Sequence, residues 1–108
     1  MNPDPSRGEI WLVDLGMAEK VRPALLLSGA CAQDDRNLIT VIPHTTALRG
    51  SRFEISVSLP FLKAGAFLAQ SSATVPAPRA LKLLGRMRLE DVRRIEDALL
   101  DWLEIGIQ

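Results

Sequence analysis

The sequence predicts a small antiparallel β-barrel capped by one C-terminal amphipathic helix. Five or six short apolar segments, separated by Gly, Pro and charged residues, occupy residues 9–87, and this pattern is typical of strands. A single longer segment, Leu89–Leu103, has its apolar residues three and four positions apart, which is helical spacing. The 108 residues fit one domain, so we expect residues 1–108 to form it.

The strands are predicted from short runs of strand-favouring residues. Residues 1–7 contain two prolines and no apolar anchor, so we expect a flexible lead-in there. The apolar run Pro23–Leu27 suits a strand buried on both faces. The next strand is predicted to stop before Pro43, because proline cannot donate to a sheet ladder. The full set of predicted strands is Glu9–Asp14, Pro23–Leu27, Leu38–Ile42, Phe53–Leu59, Phe67–Gln70 and Leu81–Met87.

The helix prediction rests on one apolar face. Apolar residues recur at helical spacing at Val92, Ile95, Leu99, Trp102 and Leu103, and charged residues fill most other positions. Strands followed by one amphipathic helix predict that the helix packs on the barrel. Trp11 and Trp102 fall within these strand and helix patterns. We therefore assign them to the core or an interface rather than to base stacking.

The composition favours a cytoplasmic protein. No run of about 18 apolar residues exists, which argues against a membrane span. The N-terminus, MNPDPSRGE, lacks the apolar region of a signal peptide. Cys31 is the only cysteine and cannot form an internal disulfide, and we interpret it as inert because no base or cation adjoins it. No Cys/His cluster has metal-ligand spacing, so the sequence predicts no metal site.

The net charge is zero, but the charges are unevenly distributed. Residues 1–88 contain 11 Lys or Arg and 7 Asp or Glu, whereas residues 89–108 contain 2 and 6. A basic body with an acidic helix fits a polyanion-binding face placed away from that helix. A solvated acidic helix on a neutral protein explains the same distribution.

Two segments place polar groups at the ends of apolar strands. In Lys20-Val21-Arg22-Pro23, proline restricts Arg22 to extended geometry at the mouth of a buried strand. A guanidinium there suits a phosphate, although a surface arginine at a strand end would look the same. In Pro43-His44-Thr45-Thr46, a threonine hydroxyl could donate to a phosphate oxygen as charge develops on it. Ordinary turn threonines are the alternative.

Four further residues belong to the candidate site. Arg49 and Arg52 follow the threonines and could contact a phosphate backbone. Gln70 ends a predicted strand and could line the same mouth as Arg22. His44 is the only histidine and could act as a general base, although a lone histidine beside a proline is more often structural.

These segments, in this order, resemble the MazF/PemK family of toxin endoribonucleases. The resemblance covers nearly the whole chain, and RGEIW near the N-terminus followed by RPALLLS is its most specific part. It continues through VIPHTT, Phe53-Glu54-Ile55, a strand ending at Gln70, and the C-terminal helix.

The resemblance implies an SH3-like barrel that forms a homodimer and binds RNA across the dimer face. Family members cleave single-stranded RNA by attack of a 2′-hydroxyl on the adjacent phosphate, without metal or cofactor. Arg22 would transfer protons and stabilise the phosphorane, and Thr46 would hold the scissile phosphate, with Thr45 as an alternative. Lys20, Arg49, Arg52 and Gln70 would bind substrate. A separate antitoxin protein would place its acidic, flexible tail in the RNA groove.

The connection before Arg22 departs from the family pattern. Gly16–Val21 is shorter than the loop of many members and lacks its serine and glutamine. Because that loop shapes the active site, cleavage rate or sequence choice could differ, and a protein that keeps only the fold is an alternative.

Two other functions compete with RNA cleavage. Related toxins with this fold poison DNA gyrase by binding it through the C-terminal helix, and the apolar end of this chain, at Trp102, Leu103, Ile105 and Ile107, could serve such binding. The other alternative is a non-catalytic RNA-binding barrel. The aromatic content of 5%, with no tyrosine, argues against it, because single-strand binding relies on aromatic platforms.

Overall fold

Seven strands and one helix make up the protein in the computed structural model, which describes residues 4–16 and 20–106. The predictions of the first strand and of the C-terminal helix are confirmed, because both elements have the predicted bounds. One-turn 3-10 helices lie at Ala69–Ser71 and Ala77–Arg79. The elements are β1 Glu9–Asp14, β2 Val21–Leu26, β3 Leu38–Thr45, β4 Glu54–Ile55, β5 Ala66–Leu68, β6 Ala73–Pro76, β7 Ala80–Arg86 and α1 Leu89–Leu103.

All the strand pairs are antiparallel, and the strand order is β4-β5-β3-β2-β1-β7, with β6 also paired to β3. The first strand therefore lies beside the last one, with Glu9 opposite Arg86. The sheet is barrel-like without being closed. The predicted fold class, mainly β with a C-terminal helix, is confirmed.

β3 runs through Pro43 to Thr45, so the prediction that it stops at Ile42 is wrong. On one side it pairs with β6 as far as Val41 and then with β5 from His44 onward. Pro43 lies opposite Ala24 of β2, at the point where the other neighbour changes. A residue without an N–H is tolerated where the ladder on one side is interrupted. The polar residues that follow Pro43 are therefore held by the sheet.

The middle of the chain differs most from the prediction. Residues 56–59 follow the two-residue strand β4 without pairing to another strand, and their alternation arises because Val57 and Leu59 pack on the core. The predicted strand Phe67–Gln70 begins and ends earlier, because residues 69–71 form a 3-10 turn. No strand was predicted between residues 70 and 81, but Ala73–Pro76 forms β6, in which Pro76 occupies the strand end, opposite Leu38.

The sheet carries apolar side chains on both faces, because successive strand residues point to opposite sides. On one face a core cluster packs against α1, and it consists of Ile10, Leu25, Ile42, Phe67, Met87, Val92 and Ile95. On the other face a second cluster is covered by β6 and the residues after it, and it consists of Trp11, Val13, Ala24, Leu26, Ile39 and Val41. The middle of the run PALLL, residues 24–26, is buried on both faces for this reason, as predicted, but the strand runs from Val21 to Leu26 and not from Pro23 to Leu27.

α1 is anchored at both ends and along its buried face. Glu90 and Asp91 lie in the first turn, where negative charge stabilises the helix dipole. Val92 and Ile95 are buried against the sheet, and each contributes about 1.5–3 kcal/mol. The helix ends at Glu104, whose left-handed backbone (φ 56°) allows Ile105 N–H to donate to the Leu100 carbonyl at 2.9 Å. Neither α1 nor any shorter helix of the described residues could span a bilayer.

Candidate functional site

A pocket of about 540 Å³ lies where β2 begins and β3 ends, beside the loop that leads to β5. It contains both residues predicted to be catalytic. We call it the strand-end pocket, and it is lined by Leu12, Arg22, Pro23, His44, Thr45, Thr46, Ala47, Phe61, Leu62, Lys63 and Leu84.

The β1–β2 hairpin places Arg22 at this pocket. Val13 lies opposite Arg22, and the hairpin is closed by a hydrogen bond of 2.9 Å from Leu15 N–H to the Lys20 carbonyl. Lys20 has a left-handed backbone (φ 56°) and an exposed side chain, and it does not line the strand-end pocket. Of the shortened loop Gly16–Val21, residues 17–19 lie outside the described residues.

The two threonines at the end of β3 have different surroundings. Thr45 is buried, and its Oγ1 accepts a hydrogen bond of 3.0 Å from Ala47 N–H, which turns the chain out of the strand. Thr46 is exposed and lines the pocket opening. Of the two hydroxyls, that of Thr46 is more accessible to a ligand.

His44 lies in the same pocket, with only 5% of its surface exposed. Its ring meets the Phe67 ring edge-to-face, with 5.0 Å between the centroids. Burial lowers the pKa of His44 from its usual value of 6.5, because the charged imidazolium would lose its hydration. The imidazole is therefore neutral at physiological pH.

The loop between β4 and β5 supplies a wall that the sequence analysis missed. Phe61 lies over Gly85 of β7, where an added Cβ would come within 2.4 Å of the Phe61 ring. Lys63 adds a second cation to the pocket that holds Arg22. The only sequence signal was the lysine itself, within the apolar segment PFLKAGAF. Nothing in that segment shows that it folds back over β2 and β7.

The Arg49 loop is held by a carboxylate. Glu54 accepts hydrogen bonds from the backbone N–H groups of Arg49, Gly50 and Ser51, at 2.9, 2.8 and 3.1 Å. The bond from Arg49 is the largest of the effects that lower the pKa of Glu54. Arg49 is exposed and belongs to the turn after Thr46, outside the lining of the pocket.

Arg52 and Gln70 lie away from the strand-end pocket. Arg52 forms an ion pair of 2.9 Å with Asp101 of α1, and its guanidinium lies 4.1 Å from the centre of the Phe53 ring. Gln70 is exposed on the 3-10 turn after β5. The structure therefore brings together Arg22, Thr45 and Thr46, but not Lys20, Arg49, Arg52 and Gln70.

The remaining candidates from the sequence lie elsewhere. Trp11 is buried in the second core cluster, whereas Trp102 is partly exposed and packs edge-to-face on Phe53 at 5.5 Å. Cys31 is exposed, and its thiol lies 3.3 Å from the Arg36 carbonyl. Within the described ranges, no three His, Cys, Asp or Glu side chains are grouped as metal ligands would be.

This arrangement suits chemistry on a phosphodiester. A permanently charged guanidinium and a hydroxyl at one pocket can bind a phosphate and stabilise charge that develops on its oxygens. The second cation strengthens attraction to a polyanion. The apolar wall of Phe61, Leu62 and Leu84 gives a nucleobase a surface to pack on.

Comparison with known proteins agrees with this fold. The chain is similar to the MazF of a MazE–MazF complex from Deinococcus radiodurans, with a TM-score of 0.81 and 20% identity over 97% of this chain and 100% of the other. It is also similar to an endoribonuclease from a mycobacterial species, with a TM-score of 0.78 and 19% identity over 98% and 97% of the two chains. Such identities show the fold alone.

A third structure, the Mycobacterium tuberculosis toxin MazF-mt6, has a TM-score of 0.76 and 21% identity over 92% of this chain and 99% of its own. None of the curated proteins matches the chain significantly in sequence. The family model described as "PemK-like, MazF-like toxin of type II toxin-antitoxin system" matches residues 6–103. The chain therefore belongs to the PemK-like, MazF-like toxins of type II toxin–antitoxin systems.

Proposed function

We propose that this toxin is a metal-independent endoribonuclease that cleaves single-stranded RNA. The observation that carries the proposal is the joint presence of Arg22 and Thr46 at the strand-end pocket. Structures of the same fold described as endoribonucleases support the reaction class. Because its substrate is RNA and its family is a toxin family, we expect it to act in the cytoplasm.

The reaction forms a bond between the 2′-oxygen and the adjacent phosphorus and breaks the bond from phosphorus to the 5′-oxygen. The products are a 2′,3′-cyclic phosphate and a 5′-hydroxyl. Arg22 pairs with the phosphate and stabilises the phosphorane, and it takes part in proton transfer. Thr46 donates to a non-bridging oxygen. Removal of one such preorganised donor typically costs about 10²–10³ in rate.

The proposal includes two protein partners. One similar structure is an endoribonuclease in complex with its cognate antitoxin, and we expect a separate antitoxin to cover the strand-end pocket with an acidic segment. A second copy of the chain would form the homodimer that the family resemblance implies. Lys20, Arg49 and Gln70 would contact RNA beyond the scissile phosphate, on the surface around the pocket, and Thr45 inside the pocket is the alternative to Thr46 as the residue that holds this phosphate.

The test is cleavage of a mixed-sequence single-stranded RNA in excess EDTA. Wild type should give discrete cuts with cyclic phosphate ends, and Arg22→Ala should lose at least 10²-fold in rate while it remains folded. Arg52→Ala is the matched control, because its guanidinium pairs with Asp101 away from the pocket. Intact RNA with folded wild type, or normal cutting by Arg22→Ala, would refute the proposal.

One observation keeps a second candidate function open. Trp102, Leu103 and Ile105 are 45%, 50% and 55% exposed at the end of α1, as a helix that binds a target protein would be. A toxin of this kind would inhibit DNA gyrase without chemistry. Inhibition of supercoiling by a protein that leaves RNA intact would favour this function over the nuclease.

A further inference from the structure

The side chain of His44 lies on the face of β3 that packs against the core, at the margin of the core cluster. It follows Ile42 by two residues, so both side chains point to the same face of the strand. That face carries the cluster that includes Ile42 and Phe67, and the edge-to-face contact with Phe67 extends it to the imidazole. Beyond His44 the cluster opens into the strand-end pocket.

The ring is held from two sides. Phe67 of β5 contacts it at 5.0 Å between centroids, and Gly65 lies so close that a Cβ there would be 2.8 Å from Cε1 of His44. A ring fixed by packing loses little entropy when it binds a substrate group. This placement is the preorganisation that a general base needs.

Neither ring nitrogen is used by the fold. In the described part of the chain no hydrogen bond involves the His44 side chain, and no fully buried side-chain nitrogen or oxygen lacks a hydrogen-bond partner. The two ring nitrogens of His44 are therefore not fully buried, and they contact the pocket that the residue lines. A histidine retained only for structure would bury a nitrogen against a carbonyl or carboxylate.

We propose that His44 accepts the proton of the attacking 2′-hydroxyl. This inference rests on the proposed function and assigns it a general base. The 2′-oxygen bonds to phosphorus as its proton passes to His44, and the bond to the 5′-oxygen breaks as that oxygen receives a proton from a water molecule that the Arg22 guanidinium orients. The imidazolium then gives its proton to the hydroxide that remains, so the enzyme is regenerated without metal or redox partner.

The charges that face the ring agree with this role. Arg22 from β2 and Lys63 from the loop before β5 line the same pocket, while Phe67 of β5 is neutral. Burial disfavours the imidazolium and lowers the pKa of His44, so the free base is the resting form. The same cations stabilise the phosphorane once the proton has moved.

The test is a pH profile of kcat/KM for RNA cleavage by wild type, His44→Gln and His44→Phe. The wild-type rate should fall as the pH drops through an inflection below 6.5. Both variants should lose about 10²–10⁴ in rate together with that inflection. His44→Phe keeps a ring against Phe67, so a loss in this variant reports chemistry rather than packing, and thermal unfolding verifies that each variant is folded.

Chemical rescue separates a base from a structural side chain. His44→Ala leaves space for a small ring, and added imidazole should restore cleavage, whereas pyrazole, which has the same shape but is a much weaker base, should not. Cleavage by folded His44→Phe at the wild-type rate, or equal rescue by both compounds, would overturn the inference and leave the nuclease intact. A wild type that does not cut RNA would refute the proposed function, and the inference with it.

Discussion

At the scale of single residues, Gly65 determines the geometry of the site. A Cβ at this position would lie 2.1 Å from the Thr45 carbonyl oxygen and 2.8 Å from His44. Glycine therefore lets the chain enter β5 in contact with the end of β3. The close approach fixes two residues of the strand-end pocket, His44 and Thr45, at once.

Gly65→Ala should destabilise the protein and slow RNA cleavage. The added methyl group meets backbone, which cannot rotate away, and overpacking of this kind costs about 1–3 kcal/mol. Gly29→Ala is the control, because nothing lies within 4 Å of a Cβ there. Chemical denaturation measures the free energy of unfolding of both, and an unchanged value for Gly65→Ala would show that β3 and β5 separate easily.

The sequence predicts the site only in part, for reasons visible at this scale. Arg22, Thr45 and Thr46 were predicted because each stands at a strand end beside a proline or a polar turn, in an order that resembles a family. Phe61 and Lys63 were missed because they reach the pocket through a loop of irregular backbone. Its path depends on contacts such as Phe61 on Gly85, which no local pattern encodes.

At the scale of elements, the turn after β3 is organised by one side chain. Glu54 binds three consecutive backbone N–H groups of residues 49–51, and Gly50 supplies the left-handed backbone (φ 80°) that aligns them. The turn that begins at Thr46 is thereby tied to β4.

Glu54→Gln should loosen this turn, since a neutral amide binds the N–H groups less strongly than a carboxylate. Hydrogen exchange at Arg49, Gly50 and Ser51 should become faster. In wild type the folded pKa of Glu54 is lowered, so its stabilisation is present above the unfolded value of 4.5 and is lost as pH falls through the folded value. The variant should lack this dependence, and exchange at the wild-type rate would contradict the assignment.

α1 is the element that the sequence predicts best, because its periodicity reflects burial on one side only. Ile95→Ala should lower the free energy of unfolding by about 2–5 kcal/mol, since the Ile95 side chain is completely buried between the helix and the sheet. Leu89→Ala, at 61% exposure on the same helix, should change it by about 0.5 kcal/mol or less. Thermal or urea unfolding compares them, and equal effects would mean that α1 packs differently.

The strands were predicted less well, because their bounds depend on partners far away in the sequence. β3 continues past Pro43 because its neighbour on one side changes there from β6 to β5. β6 in turn is a strand because it pairs with residues 38–41 of β3. Neither relation can be inferred from composition along one segment.

At the scale of the whole molecule, ion pairs within the protein neutralise part of the positive charge of residues 1–88. Arg7 binds Glu96, and Arg52 binds Asp101, so two cations of the basic body are attached to the acidic helix. Arg22 and Lys63 line the strand-end pocket, where we propose that RNA binds. RNA binding should therefore depend on few cations although the chain contains 13.

The salt dependence of binding measures that number. For single strands the slope of log K against log salt is about −0.7 per neutralised phosphate, so the four cations proposed to contact RNA, which are Arg22, Lys63, Lys20 and Arg49, give a slope of about −2.8. Lys63→Gln should reduce its magnitude by about 0.7, whereas Arg52→Gln should leave it unchanged. Fluorescence anisotropy with an uncleavable 2′-deoxy strand provides the measurement, and an effect of Arg52→Gln equal to that of Lys63→Gln would place the RNA on α1 as well.

β1 pairs with β7, so the first and last strands made by the ribosome lie side by side in the finished protein. Folds dominated by such non-local pairings form in milliseconds to seconds, after the distant segments have become available. α1, whose Val92 and Ile95 complete the core, is synthesised after every strand. Leu84 of β7 helps to line the strand-end pocket, so the pocket cannot assemble before β7 has been synthesised, and we expect a nascent chain that lacks β7 to be unable to cleave RNA.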